Sequence, residues 1–214
     1  MLIDLKLAGK KILIVGGGKV GERKARKFLR ANPKVIVVSK SFTQGLRRLA
    51  RGGKIELIKA NFKADSSSFN SLVSNSDIVI AATNDSKLNE HIVIETKKRG
   101  ILASAVDNPP MSDFYLPATT RFGKIRIAIS TGGRSPVMAR ILRKKLEGAI
   151  TGEEILQVEL QHYVRELAKA HILDKEARRN FLYQMIDDSG IRQLLEEGDL
   201  EEAKTLAKQI LKHY

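Results

Sequence analysis

Residues 11–107 alternate short apolar runs with stretches of helical spacing, and this alternation limits the fold more than any other feature of the chain. The runs are Lys11–Val15, Val35–Val38, Ile55–Ile58, Asp77–Ala82 and Ile101–Val106. They are short, mostly apolar and rich in β-branched residues, as strands buried on both faces are. The segments between them have lengths and apolar spacing suited to crossover helices, the first from about Lys19 to Ala31. Strand and helix in strict turn predict a parallel sheet covered on both sides.

After Asp107 the pattern changes. Asn108-Pro109-Pro110 breaks the backbone, because proline restricts both itself and its predecessor. A partly alternating strand is expected at Ile125–Ser130. Ser135 then suits a helix N-cap and Pro136 the first helical turn, with the helix running to about Glu147. Helices are expected at about 152–170, 174–187 and 199–213, with a short helical turn near Ile191. Asp174 and Asp199 suit N-caps, and Gly190 and Gly198 read as breaks. Ser66-Ser67-Ser68 reads as a polar loop before a helix. The expected fold is therefore α/β: a Rossmann-type parallel sheet over residues 1–113, a small region over 114–148, and a helical domain over 149–214.

Composition removes several function classes. Cysteine is absent, so there is no thiolate nucleophile, disulfide framework or thiolate metal site. No apolar run approaches the ~20 residues of a membrane span, and the apolar stretch within Met1–Lys10 is too short for a signal peptide. A cytoplasmic protein is the default expectation. The formal charge is +14, unevenly spread: residues 1–150 carry 29 basic and 11 acidic side chains, whereas 151–214 carry 9 and 13. A basic half of that strength attracts an anion, whether a polynucleotide, a phosphorylated cofactor or a multi-carboxylate substrate. Aromatics are only 5% of residues and no nucleic-acid recognition motif stands out, so a nucleic-acid partner ranks last.

Gly16-Gly17-Gly18-Lys19-Val20-Gly21 contains G-x-G-x-x-G directly after the first predicted strand and at the start of a helix. That context turns a weak pattern into a dinucleotide-binding fingerprint. Gly16 permits the tight turn, Gly18 lets the backbone approach a pyrophosphate, and Gly21 lets the helix pack on the sheet. The free N–H groups and the helix dipole favour the phosphates. The second strand usually ends in an acid that binds ribose hydroxyls. Here Ser39-Lys40-Ser41 stands instead. Ser39 or Ser41 could hydrogen-bond a ribose, and Lys40 tolerates or favours a 2′-phosphate, so this motif leaves NAD and NADP both open. Thr83 and Asn84 follow the fourth strand, on the edge where open α/β sheets bind ligands.

Four segments together resemble one family: the glycine loop continued through Glu22-Arg23-Lys24-Ala25, Ala81-Ala82-Thr83-Asn84-Asp85, Val106-Asp107-Asn108-Pro109, and Ser130-Thr131-Gly132-Gly133-Arg134-Ser135-Pro136-Val137-Met138-Ala139-Arg140. The set resembles the precorrin-2 dehydrogenase and sirohydrochlorin ferrochelatase family, the N-terminal module of siroheme synthases. Ala177-Arg178-Arg179-Asn180-Phe181-Leu182 resembles that family's helical tail. The methyltransferase domain fused to some members has no room in a chain of this length. The resemblance implies an NAD-binding domain, a dimerisation region over 114–148, a homodimer, and oxidation of precorrin-2 to sirohydrochlorin. In some members it also implies a lyase step that inserts Fe2+. It matches Asp107 to the family's key aspartate, and Lys19, Val20, Lys40 and Ser41 to cofactor contacts. Thr131 falls where some members carry a modified serine.

A carboxylate at position 107 could serve as general base, orient a pyrrole N–H or stabilise developing cationic charge. A substrate rimmed with carboxylates gives the eight basic residues between Arg121 and Lys145 a purpose. Arg134 and Arg140 are the expected anchors, because arginine pairs bidentately with carboxylates, and Ser135 offers a second anion contact at its helix start. His91, His162, His171 and His213 show no ligand-like spacing, so no protein-bound metal is expected. Two other readings remain at this point: an NAD(P)-dependent dehydrogenase of a different polyanion, and a non-enzymatic NAD-binding regulator. Both keep the glycine loop, and the second gives Asp107 no task.

Overall fold

The computed structural model describes residues 2–61 and 66–214; Met1, the first residue of the expected cofactor domain, lies outside them. The chain divides into two compact units, Met1–Leu116 and Pro117–Tyr214.

The first unit is built on five parallel strands, β1 (Lys11–Val15), β2 (Lys34–Ser39), β3 (Glu56–Lys59), β4 (Ile78–Ala81) and β5 (Leu102–Ala105), in the order β3-β2-β1-β4-β5. Helices α1 (Lys19–Leu29), α2 (Gln44–Arg51), α3 (Ser66–Ser74) and α4 (Ser86–Lys97) alternate with them. This is the Rossmann order. The central strand explains why the apolar runs lack polar alternation. In β1, Ile12 and Ile14 enter one core with Ala25, Phe28 and Leu46, while Leu13 and Val15 enter the other with Phe69, Val73 and Ile92. Both faces of β1 are thus dry.

Register then lines up the strand ends. Val15 pairs with Val38 on one side and Ala81 on the other, and Ala81 pairs with Ala105. The residues that leave these strands, from Gly16, Lys40, Ala82 and Val106 onward, therefore emerge along one edge. Backbone bonds continue past the strands, from Gly16 N–H to the Val38 carbonyl (2.9 Å), Ala82 N–H to Val15 (2.8 Å) and Val106 N–H to Ala81 (3.0 Å).

The second unit opens with an antiparallel hairpin, β6 (Ala118–Phe122) and β7 (Ile125–Ile129), followed by α5 (Pro136–Glu147). Four helices follow: α6 (Gly152–His171), α7 (Lys175–Asp187), α8 (Ser189–Glu196) and α9 (Leu200–Lys212). They enclose a core of Leu160, Val164, Phe181, Met185, Ile191 and Leu195. Among the described residues no helix is long and apolar enough to cross a membrane.

Three local expectations are corrected. Ser66-Ser67-Ser68 is not a loop: the backbone of α3 is already helical at Ser66. Gly190 does not break the chain but lies inside α8; the break is at Asp188, whose side chain accepts from the Ile191 N–H and caps that helix. The helical turn expected near Ile191 is accordingly an eight-residue helix. Strand β6 has no counterpart among the expected strands. Its sequence, Ala-Thr-Thr-Arg-Phe, is polar and pairs only with β7, so it has no apolar run to reveal it.

Candidate functional site: a glycine-lined cleft at the carboxyl edge of the sheet

The cleft at this edge has a volume of about 900 Å3. Of the residues expected to hold a cofactor, Gly16, Gly18, Lys19, Val20, Ser39, Lys40, Ser41, Thr83 and Asn84 all line it. Gly21 does not. It is buried beneath the loop, where an added Cβ would stand 2.0 Å from the Gly16 carbonyl oxygen. Close packing of loop on helix, and not ligand contact, explains the third glycine.

The loop geometry separates glycines that the fold needs from one that it does not. Gly16 has φ +125°, and a Cβ there would meet the Ala82 carbonyl oxygen at 2.2 Å. Gly17, which the fingerprint leaves unspecified, is equally constrained: its Cβ would stand 2.0 Å from the Ser41 carbonyl oxygen. Gly18 has no positive φ and open space where a Cβ would point. The protein alone gives no reason for glycine at 18; a ligand lying against the loop does.

Helix α1 supports the same reading. Six other helices have N-caps whose side chains accept from the first turn: Thr43, Asp85, Ser135, Asp174, Asp188 and Asp199. In α6, Glu154 reaches back to the Thr151 N–H. Gly18 caps α1 with no side-chain bond. Its first N–H groups and positive dipole end face the cleft, an arrangement suited to a diphosphate. The residues fit a dinucleotide: glycines cradle, a helix start binds phosphate, and Ser39, Lys40 and Ser41 supply hydroxyls and a cation at the end of β2.

One carboxylate near this loop is committed to structure. Glu22 accepts from the Thr43 hydroxyl at 2.6 Å and from Arg26 at 2.7 and 2.9 Å. Thr43 caps α2, so Glu22 fastens α1 to the start of α2. The Thr43 hydrogen bond foremost, then Arg26, holds the Glu22 carboxyl below its ordinary 4.5. A group lowered on folding stabilises the protein above its unfolded pKa and loses that contribution as pH falls through the folded value. Glu22→Gln is therefore expected to cost about 1 kcal/mol at neutral pH. Thermal melts of both proteins should show the gap closing as pH is taken below 4.5.

Asp107 lies two residues beyond β5 on the same edge, and its side chain is turned toward the start of α4. Partial shielding from water pushes its carboxyl up, but hydrogen bonds from Ser86 and Asn89 and from its own backbone outweigh this and hold it below the usual 3.8. The turn at Pro109–Met111 is capped by Asn108 and not by Asp107. Asn89 was not foreseen from the sequence. It is fully buried, and its Oδ1 accepts from the Thr83 N–H (3.0 Å) and hydroxyl (2.7 Å) while its Nδ2 donates to the Thr83 carbonyl (3.1 Å). One amide thus fastens the Thr83 loop, which lines the cleft, to α4, on the side toward which Asp107 is turned. The available signal was an asparagine, a poor helix former, on the buried face that carries Ile92, Val93 and Thr96. Phe42, Thr43, Asn61 and Leu88 also line the cleft without having been singled out.

In the second unit, Arg134, Ser135 and Arg140 lie at and beyond the start of α5. The Thr131 hydroxyl accepts from the Ser135 N–H (3.0 Å), and Ser135 Oγ accepts from the Met138 N–H (3.2 Å). The Arg134 and Arg140 side chains are exposed. Among the described residues no group of three or more His, Asp or Glu side chains could hold a metal ion.

Comparison with known proteins agrees with this geometry. A family model described as NAD(P)-binding matches residues 3–118, and one described as the central part of a sirohaem biosynthesis protein matches 123–149. A precorrin-2 dehydrogenase of Methanosarcina barkeri is 32% identical over 211 residues, covering 98% of this chain and 92% of that protein. The chain belongs to the precorrin-2 dehydrogenase and siroheme synthase family. A siroheme synthase of Edwardsiella ictaluri is 32% identical over 203 residues; there the match covers 94% of this chain but 42% of the relative, so the chain spans well under half of such a synthase. A solved structure described as SirC, precorrin-2 dehydrogenase, has the same fold, with a TM-score of 0.75 over the whole of both chains at 20% identity.

Proposed function

We propose that this chain oxidises precorrin-2 to sirohydrochlorin with NAD+, a step of siroheme biosynthesis. The reading is carried by a dinucleotide cleft and a tethered carboxylate, Asp107, on one sheet edge, in a chain matching a precorrin-2 dehydrogenase over nearly its full length. When bound, NAD+ supplies the two-electron acceptor. Gly18, Lys19 and Val20 would hold its diphosphate through backbone N–H groups, with Gly16 making the turn that brings them there, while Ser39, Lys40 and Ser41 would receive the adenosine ribose. Thr83 and Asn84 close the opposite wall.

Oxidation of the macrocycle also releases a proton. Asp107, kept ionised by Ser86 and Asn89, is the base that receives it. Arg134, Arg140 and Ser135 bind substrate carboxylates. The α5 face explains how a small second unit is completed: Val137, Met138, Ile141, Leu142 and Leu146 are 38–63% exposed, and in α5 only Ala139 is buried. An apolar face of that extent calls for cover. A second copy supplies it, which makes 114–148 the dimerisation region of a cytoplasmic homodimer, with 1–113 the cofactor domain and 149–214 the helical domain.

The test is an anaerobic assay of purified protein with precorrin-2 and NAD+, with and without Fe2+. Absorbance should report sirohydrochlorin and stoichiometric NADH. The Fe2+ arm determines whether siroheme follows. No spectral change with fresh substrate would end this reading.

A further inference from the structure

Five of the nine basic residues in the acidic stretch 151–214 line a single groove between α6 and α7, about 530 Å3 in volume. They are Arg165, Lys169, Lys175, Arg178 and Arg179, and no carboxylate lines the groove with them. This crowding opposes folding: Arg165 and Lys169 on α6, and Lys175 and Arg179 on α7, are like charges four residues apart, a spacing that weakens a helix. Two of the five have structural partners. Lys169 pairs with Glu166 at 2.7 Å, and Arg178 donates to the Ile172 and Leu173 carbonyls at the end of α6. Among the described residues, Arg165, Lys175 and Arg179 form no ion pair within 4.0 Å.

The groove is also apolar. Leu182, Tyr183 and Ile186 line it, Tyr183 being 54% and Ile186 40% exposed, and the Arg179 guanidinium lies 5.7 Å from the centre of the Tyr183 ring. Bare phosphate would need the cations but not the apolar wall. A flat apolar ring system with carboxylates on its rim uses both, through ring contact and charge-assisted hydrogen bonds.

We propose that the α6–α7 groove binds the carboxylate-bearing edge of a tetrapyrrole, at a site separate from the glycine-lined cleft. The choice of ligand class rests on the dehydrogenase reading above. The test uses the full chain and uroporphyrin, a stable fluorescent tetrapyrrole octacarboxylate, titrated by fluorescence at low and high salt. Arg165→Gln/Arg179→Gln should weaken binding at least about tenfold and flatten its salt dependence. Arg192→Gln/Lys212→Gln removes the same charge from the same unit outside the groove and should change binding less than about twofold. Should the groove double variant melt early, Lys175→Gln, at the exposed first position of α7, replaces it and should still weaken binding.

Wild-type protein that does not bind the probe, equal losses in the two double variants, or no loss in the groove variant would each overturn the proposal. Displacement of the probe by a polyglutamate peptide at equal carboxylate concentration would do so too, by marking a surface for acidic protein. The precorrin-2 assay is read separately. Turnover without groove-dependent probe binding defeats the groove alone. Groove-dependent binding without turnover defeats the dehydrogenase reading and leaves a polycarboxylate site.

Discussion

Asp107→Asn is expected to lower kcat by about 10²- to 10⁴-fold, the range a positioned general base contributes. NAD affinity and melting temperature should stay near wild type. Asp107 is exposed and absent from the lining of the cofactor cleft, so the fold and the dinucleotide lose little with its charge. Asparagine keeps the shape and an oxygen to accept from Ser86 and Asn89, but not a basic carboxylate. Steady-state rates with precorrin-2, alongside NAD titration, check this, and near-normal turnover would remove Asp107 from the chemistry. The pH profile gives a second readout. The base form exists above the pKa, and that pKa is held below 3.8. Wild-type turnover should therefore show no loss of this base between neutrality and the ordinary carboxylate range. Ser86→Ala, which removes one of the hydrogen bonds, should move the acid limb upward.

The glycine loop gives the second large effect, as a contrast between neighbours. Gly16→Ala combines a left-handed φ with a Cβ 2.2 Å from a backbone oxygen, and should destabilise the protein by about 3 kcal/mol. For a chain of this size that lowers Tm by roughly 6–12 °C. Gly18→Ala meets nothing in the protein, so its stability should stay within about 1 kcal/mol of wild type. Its NAD affinity should nevertheless fall at least about tenfold, because the methyl group would occupy the space in which the proposed diphosphate would lie. Melting curves and NAD titrations of the two variants separate the roles. A Gly18→Ala protein that binds NAD normally would place the dinucleotide elsewhere.

Much of this was legible because the sheet is parallel and doubly covered. Ile12–Val15, Val35–Val38 and Ile78–Ala81 bury both faces, so they stand out as unbroken apolar runs bounded by loops. The glycine fingerprint has a fixed offset from β1, and the predicted ends of the second and fourth strands put Ser39, Lys40, Ser41, Thr83 and Asn84 on the same edge, where they line the cleft. What stayed hidden depends on partners distant in sequence. β6 has no apolar run, and its only strand partner is β7. Gly17 is required because the Ser39–Phe42 segment crosses beside it, its nearest atom the Ser41 carbonyl oxygen, and no local pattern encodes that approach. Gly190 misled because a glycine in a helix reads as an end, whereas the stop at Asp188 comes from its capping side chain.

Asn89 spends its buried amide almost wholly on one residue. Both lone pairs of its oxygen are taken by Thr83, and its nitrogen donates to the Thr83 carbonyl. Position 89 thus tolerates few replacements. Aspartate would face the Thr83 carbonyl with a second oxygen and no hydrogen, and leucine would strand the Thr83 peptide without water. Among lineages that keep this chemistry the position should be frozen, although its side chain never reaches the solvent through which a substrate arrives.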